Sequence, residues 1–207
     1  ILSGLVGSEM CIRDSFWRMH SPKTENGGSI VRSETPGPVL FANCLVKDQH
    51  GNPLSGVEID VWQSSPVGLY ENQDDNQTDM NLRGKFISDA QGRFSFRSVT
   101  PAGYPIPLHG PVGDMIRAQD RRHFRPAHIH FLLFKEGFKT LVTQVFVDND
   151  RDLENDVVFG VTRALVGNYV KHDGNAPAPD VKGEWYSLDY TFVMEKGVAK
   201  LPHPPIK

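Results

Sequence analysis

The sequence predicts an all-β fold, a β-sandwich with long loops. Three observations lead there. Short apolar or alternating segments recur along the chain, turn-forming clusters separate them, and helical periodicity is weak. Nineteen glycines and fifteen prolines make up about a sixth of the 207 residues, a turn-rich composition. Many short strands joined by frequent turns are the pattern of two packed sheets.

Taken in order, Asp48-Gln-His-Gly-Asn-Pro53 separates two apolar stretches and reads as a hairpin connection. Val57–Val61 alternates strictly, as a half-buried strand does. Residues 72–81 are polar and poor in β-formers, so they read as an exposed loop. Asp89-Ala-Gln-Gly92 is a second hairpin signal, and Arg93–Arg97 alternates again. Ile129–Phe134 is apolar on both faces and reads as a central strand. Leu141–Val147 follows as another strand. Residues 156–170 have a weak helical period, but Gly160 and Gly167 argue against a long helix. Residues 173–183, with two prolines and two glycines, form a loop before the last strand, Leu188–Met194. Tyr190 alternates with Leu188 and Phe192 and reads as core.

Length fits one domain over residues 16–207. Residues 1–15 start with Ile and read as a non-native or disordered tail, too short for a membrane span and without the cationic start of a signal peptide. Formal net charge is -3, which gives no footprint for nucleic acid. No apolar run approaches the ~20 residues of a membrane helix. Two cysteines, Cys11 and Cys44, make neither a disulfide framework nor a thiolate metal cage, which favours a cytoplasmic protein.

The strongest chemical signal is Arg125-Pro-Ala-His-Ile-His-Phe131. On a strand, residues i and i+2 share a face. His128 and His130 therefore project together from an apolar strand, and two buried imidazoles need partners. A shared metal is one reading; hydrogen bonds to backbone or carboxylate are the other. Tyr70 leaves a strand for a loop. Tyr104 sits in Pro101-Ala-Gly-Tyr-Pro-Ile-Pro107, held extended by three prolines, with Gly103 allowing a sharp turn. Such a loop is a firm mount for a ligand. Each tyrosine taken singly also reads as an ordinary packed ring. Gln144 shares a face with Val142 and Phe146 and reads as a buried amide.

These segments, with residues 25–33, 68–74, 80–86, 101–118 and 158–165, resemble the intradiol ring-cleavage dioxygenases, most closely the hydroxyquinol-cleaving subgroup. The resemblance runs from Phe16 to the C-terminus. It implies a β-sandwich whose loops carry a metal site, with one Fe(III) per chain held by Tyr70, Tyr104, His128 and His130. Two phenolates are hard anionic donors that offset the ferric charge, and imidazole suits iron. It also implies that the substrate is an aromatic diol or triol and that both atoms of O2 enter the product. Arg125 is then the cation that stabilises the activated ring, Gln144 orients a ligand near the iron, and Tyr104 is the ligand that departs and takes a proton. Val39, Ile106, Pro107, Arg125 and Val158 would contact the substrate. The helical N-terminal domain of catechol-type relatives, which forms their homodimer, is absent from the sequence.

Two other readings compete. Catechol or chlorocatechol is the alternative substrate class. Leu45–Val57 followed by Asp89–Phe96 also resembles non-enzymatic transthyretin-like sandwich modules. Tyr104 and the H-x-H strand discriminate, since a structural module needs neither.

Overall fold

A computed structural model describes residues 16–202. The tail read into residues 1–15 lies outside the described residues. Eleven strands succeed one another among them: β1 (Val39–Asp48), β2 (Glu58–Gln63), β3 (Arg83–Ile87), β4 (Arg93–Val99), β5 (Tyr104–Pro105), β6 (Phe124–Arg125), β7 (His128–Phe134), β8 (Leu141–Val147), β9 (Val166–Gly167), β10 (Tyr169–Asp173) and β11 (Glu184–Met194). One α-helix, α1 (Pro111–Ala118), lies between β5 and β6.

The strands form a four-stranded sheet, β10-β11-β1-β4, a five-stranded sheet, β3-β2-β7-β8-β9, and the small pair β5-β6. Alternation explains the core. Leu40, Ala42, Cys44 and Val46 of β1, Phe94 and Phe96 of β4, and Leu188, Phe192 and Met194 of β11 point inward from one sheet. Ile59 and Val61 of β2, Phe86 of β3, and Ile129, Phe131 and Leu133 of β7 meet them from the other. Burying each large apolar side chain contributes about 1.5–3 kcal/mol. Tyr190 packs at the rim of this core, its hydroxyl donating to Ala164 O at 2.7 Å.

Ile129–Phe134 is central, as its two apolar faces indicate: β7 is the middle strand of its sheet and is buried along almost its full length. Both hairpin expectations need correction. The turn after β1 is tight, with Asp48 Oδ1 accepting the amides of His50 and Asn52 at 2.8 and 2.9 Å, and the turn after β3 is closed by Gly92 N–H donating to Asp89 O. Yet each turn carries the chain from one sheet to the other. Both edges of β1 are already taken, by antiparallel β4 and by parallel β11, so β2 has no place beside it.

Two further expectations change. β2 is buried on both faces, because Asp60 on its outer side accepts from Trp17 Nε1 at 3.1 Å and faces Lys85 Nζ at 3.4 Å. Residues 72–81 are not exposed throughout: Asn81 is fully buried. Its Oδ1 accepts from Arg32 N–H at 2.8 Å, and its Nδ2 donates to Thr35 and Gln77, so the loop anchors the chain's early segment. Residues 156–170 hold no α-helix, in keeping with Gly160 and Gly167, but one 3-10 turn (Arg163–Leu165), β9 and the start of β10. The helix that does form was signalled only by Pro111 at its first turn and by the open Gly110 before it. No helix among the described residues is long and apolar enough to cross a membrane.

Candidate metal centre and active site

The outer face of the five-stranded sheet carries the polar chemistry. Because β7 alternates, Ile129, Phe131 and Leu133 go to the core, and His128 and His130 go to this outer face. Register then builds a row across four strands. Arg83 of β3 lies opposite Trp62 of β2, Trp62 opposite His130 of β7, and His130 opposite Gln144 of β8. Trp62 stacks on His130 with ring centroids 4.9 Å apart and planes 1° from parallel. His128 is packed on Phe146 at 5.3 Å.

Two loops bring tyrosines over this face. Tyr70 lies just before a 3-10 turn, Glu71–Gln73, and its amide donates to Gln73 Oε1 at 3.1 Å. Tyr104 belongs to β5, whose pairing with β6 sets it directly opposite Arg125. Two glycines allow the loops to close. Gly68 has φ +79°, and a Cβ there would lie 2.9 Å from Gly103 O and 3.3 Å from Tyr104 Cβ. At Gly103 a Cβ would lie 2.7 Å from Arg125 O. Side chains at either position would push the Tyr70 and Tyr104 segments away from each other or from β6.

The four residues converge. His128 Nε2 and His130 Nε2 are 3.0 Å apart, and His130 Nε2 is 3.0 Å from the Tyr70 hydroxyl. The Tyr104 ring lies 5.6 Å from that of Tyr70 and 5.5 Å from that of His128. All four are buried. Burial, reinforced by Arg125, holds the His128 imidazole well below the usual histidine range. Burial also lowers His130, with His128, Arg125 and Arg83 adding to it. Both rings are thus neutral at neutral pH. His128 Nδ1 sits 2.6 Å from Pro126 O, which can only accept, so its proton is on Nδ1 and its Nε2 lone pair faces the cluster. Burial, then the neighbouring Tyr104, push the Tyr70 phenol well above its ordinary range, while Arg125 and Arg83 pull the other way.

This arrangement fits a cation. At most one proton can lie between the two imidazole nitrogens, and if it belongs to His130, then His130 Nδ1 is left buried without a partner. A metal accepts both nitrogen lone pairs and the phenolic oxygens at once. No group of three or more His, Cys, Asp and Glu converges among the described residues, so the donors that could hold a cation here are two imidazoles and two phenols, a combination suited to ferric iron.

Around the cluster, Arg125 is fully buried, with Nη2 donating to Gln144 Oε1 at 2.7 Å and Nη1 3.5 Å from His128 Nε2. Gln144 is buried, in line with its alternation on β8. The proposed wall is less compact. Val158 follows closely on Asp156, whose Oδ1 accepts its amide at 3.4 Å. Ile106 and Pro107 continue the loop from Tyr104, with Ile106 half-buried and Pro107 exposed. Val39 lies in the other sheet, between Val99 and Trp185.

Several residues here were not singled out from sequence. Trp62 and Arg83 reach the row through strand register, which local sequence does not encode. Arg83 sits behind Tyr70, its guanidinium 6.0 Å from that ring and 2.7 Å from Glu71 Oε1. Asp156 pairs with Arg125. Its sequence signal was present: an Asp followed by a short, glycine-ended stretch is a pattern for bonding its own downstream amides.

A family model described as "Dioxygenase" matches residues 16–195. The hydroxyquinol 1,2-dioxygenase of Rhizobium sp. (strain MTP-10005) is 35% identical over 193 residues, covering 91% of this chain and 65% of that protein. The catechol 1,2-dioxygenase of Candida albicans is 38% identical over 181 residues, covering 86% of this chain and 59% of that protein. Among solved structures, the hydroxyquinol 1,2-dioxygenase of Pseudomonas putida DLL-E4 superposes with a TM-score of 0.81 at 36% identity, over 90% of this chain and 65% of that one. The chain therefore spans less than two thirds of the length of these relatives. With a family match over most of its length and this sandwich architecture, the chain belongs to the intradiol ring-cleavage dioxygenases.

Proposed function

We propose that the protein is a ferric-iron enzyme that cleaves hydroxyquinol (benzene-1,2,4-triol) between its adjacent hydroxyl-bearing carbons. Dioxygen is the co-substrate and 3-hydroxy-cis,cis-muconate, the enol form of maleylacetate, is the product, in the breakdown of aromatic compounds. The observation that carries this reading is the convergence of two neutral imidazole Nε2 atoms and the Tyr70 hydroxyl within 3.0 Å contacts, beside the Tyr104 ring. Tyr70, Tyr104, His128 and His130 would hold one iron. When bound, ferric iron supplies a Lewis acid that draws electron density from the diol and prepares the ring for dioxygen.

The chain's own residues do the rest. A diol that binds as a dianion gives up two protons. Tyr104 would accept one and a solvent hydroxide displaced from the site would accept the other, leaving as water: a free phenol has a pKa of about 10, so once released Tyr104 keeps its proton at neutral pH. Arg125, with Nη1 turned toward His128, presents fixed positive charge where the ring gains electron density. Gln144 steadies Arg125 through Oε1 and orients a ligand or oxygen species. Ile106, Pro107 and Val158 offer apolar surface to a flat ring, whereas Val39, which alternates with inward Leu40 in the other sheet, faces away from it. The enzyme is further proposed to work in the cytoplasm, and as a homodimer where a helical N-terminal domain precedes these residues.

A catechol or chlorocatechol 1,2-dioxygenase is the second reading, favoured by the identity to the Candida enzyme. Initial rates of the iron-loaded protein on hydroxyquinol, catechol and chlorocatechols separate the two. Faster turnover of catechol overturns the hydroxyquinol assignment. A colourless protein that takes up zinc rather than iron overturns the metal assignment.

A further inference from the structure

We infer that Asp156 is a positioning residue that aims the Arg125 guanidinium at the reacting ring and locks it to the loop bearing Val158. The inference rests on the role given above to Arg125.

Arg125 and Asp156 are both buried, with side-chain exposures of 0% and 2%. Asp156 meets the guanidinium along one edge: Oδ1 lies 3.3 Å from Nε, and Oδ2 lies 3.4 Å from Nη2. Two contacts from one planar carboxylate fix the plane of the guanidinium, not only its distance. Gln144 holds Nη2 from a second direction at 2.7 Å. With that edge engaged, Nη1 is the nitrogen turned toward His128, 3.5 Å from Nε2.

The same carboxylate shapes the following loop. Gly160 N–H donates to Oδ2 at 2.8 Å and Val158 N–H to Oδ1 at 3.4 Å, while Phe159 N–H donates to the Asp156 carbonyl at 3.0 Å. The loop is wrapped so closely that a Cβ on Gly160 would lie 3.1 Å from Asp156 Oδ2 and 3.2 Å from Arg125 Nη2. One side chain thus sets the direction of the cation and the position of the segment carrying the proposed Val158 wall. A carboxylate placed only for stability has no need to do both.

Asp156→Asn keeps an acceptor for the loop amides but removes the charge and one of the two guanidinium contacts. Gly160→Ala leaves Asp156 and Arg125 chemically intact and wedges them apart. Three measurements on the full chain test the idea. Exchange NMR of the Arg125 guanidinium, identified by its loss in Arg125→Lys, reads rotation about Nε–Cζ without needing turnover. Rotation should speed up at least about tenfold in both variants, where a bidentate clamp has been opened. In the iron-loaded protein, kcat on hydroxyquinol should fall about 10²-fold, as for a misaimed catalytic group. Iron content and the resting visible spectrum should stay at wild-type values. Unchanged Arg125 rotation in Asp156→Asn overturns the inference, as does a kcat within twofold of wild type or a loss of activity that only tracks loss of iron. If no diol is turned over by the wild type, the reading of the site fails, and the rotation measurement still decides whether Asp156 fixes Arg125.

Discussion

In the proposed function the two tyrosines have unequal roles, and single substitutions test this. Tyr70 is fully buried, with Phe16 stacked on it at 4.4 Å and Arg83 behind it. Tyr104 sits on a two-residue strand, β5, paired with β6. Tyr104→Phe should keep part of the visible colour, contributed by Tyr70, and lower turnover by about 10²–10⁴-fold, the usual loss for a proton acceptor. Tyr70→Phe should instead lower the iron retained after gel filtration. Spectra with and without anaerobic substrate distinguish the two. A second residue bears on pH. Burial raises the Asp60 carboxyl above its ordinary range, against the pull of Lys85 and Trp17. The folded state therefore binds that proton more readily than the unfolded chain, so this group's contribution to stability falls as pH rises through the raised value. Asp60→Asn should be at least as stable as wild type at pH 7, with the difference shrinking toward pH 4, as melting temperatures at the two pH values would show.

At the scale of elements, what the sequence makes legible is what a single strand or loop determines. The alternation of β7 puts His128 and His130 on one face, and the prolines around Tyr104 mark a stiff segment; both are local features. The partners are not local. Trp62 reaches His130 because β2 and β7 pair in one register, and β1 lies between β4 and β11 instead of beside β2. Those choices depend on which edges remain open once the sheets assemble, so the turn chemistry at Asp48 and Asp89 was readable while its role in switching sheets was not. The transthyretin-like alternative failed to separate over residues 45–96 for the same reason: strands and turns alone carry no metal chemistry. The closure of the two tyrosine loops gives an element-scale test. Gly68→Ala forces a side chain into the left-handed region, a cost of about 1–2 kcal/mol, and against Gly103 O. It should lower the melting temperature and weaken the visible band together, while Gly174→Ala, also at positive φ but with open space around it, should lower stability alone.

For the whole molecule, the parallel pairing of β1 with β11 joins residues 39–48 to residues 185–194. The four-stranded sheet cannot close until nearly the whole chain is available, and contacts so distant in sequence make for slow folding. A chain ending at residue 183 should therefore fail to give a cooperative melting transition, checked by circular dichroism and size-exclusion chromatography. Cys44, inside the same sheet and pushed far above the usual thiol range by burial, should resist alkylation until global unfolding, read peptide by peptide in mass spectrometry. The row of Arg83, Trp62, His130 and Gln144 has a consequence for fidelity of assembly. Slipping β7 by one residue would turn His128 and His130 into the sandwich and Ile129, Phe131 and Leu133 out of it. Such a molecule would lose core packing and its proposed metal donors in the same error. If the site takes up the proposed iron, that uptake would act as proofreading, drawing the population toward the one alignment of strands that can bind it.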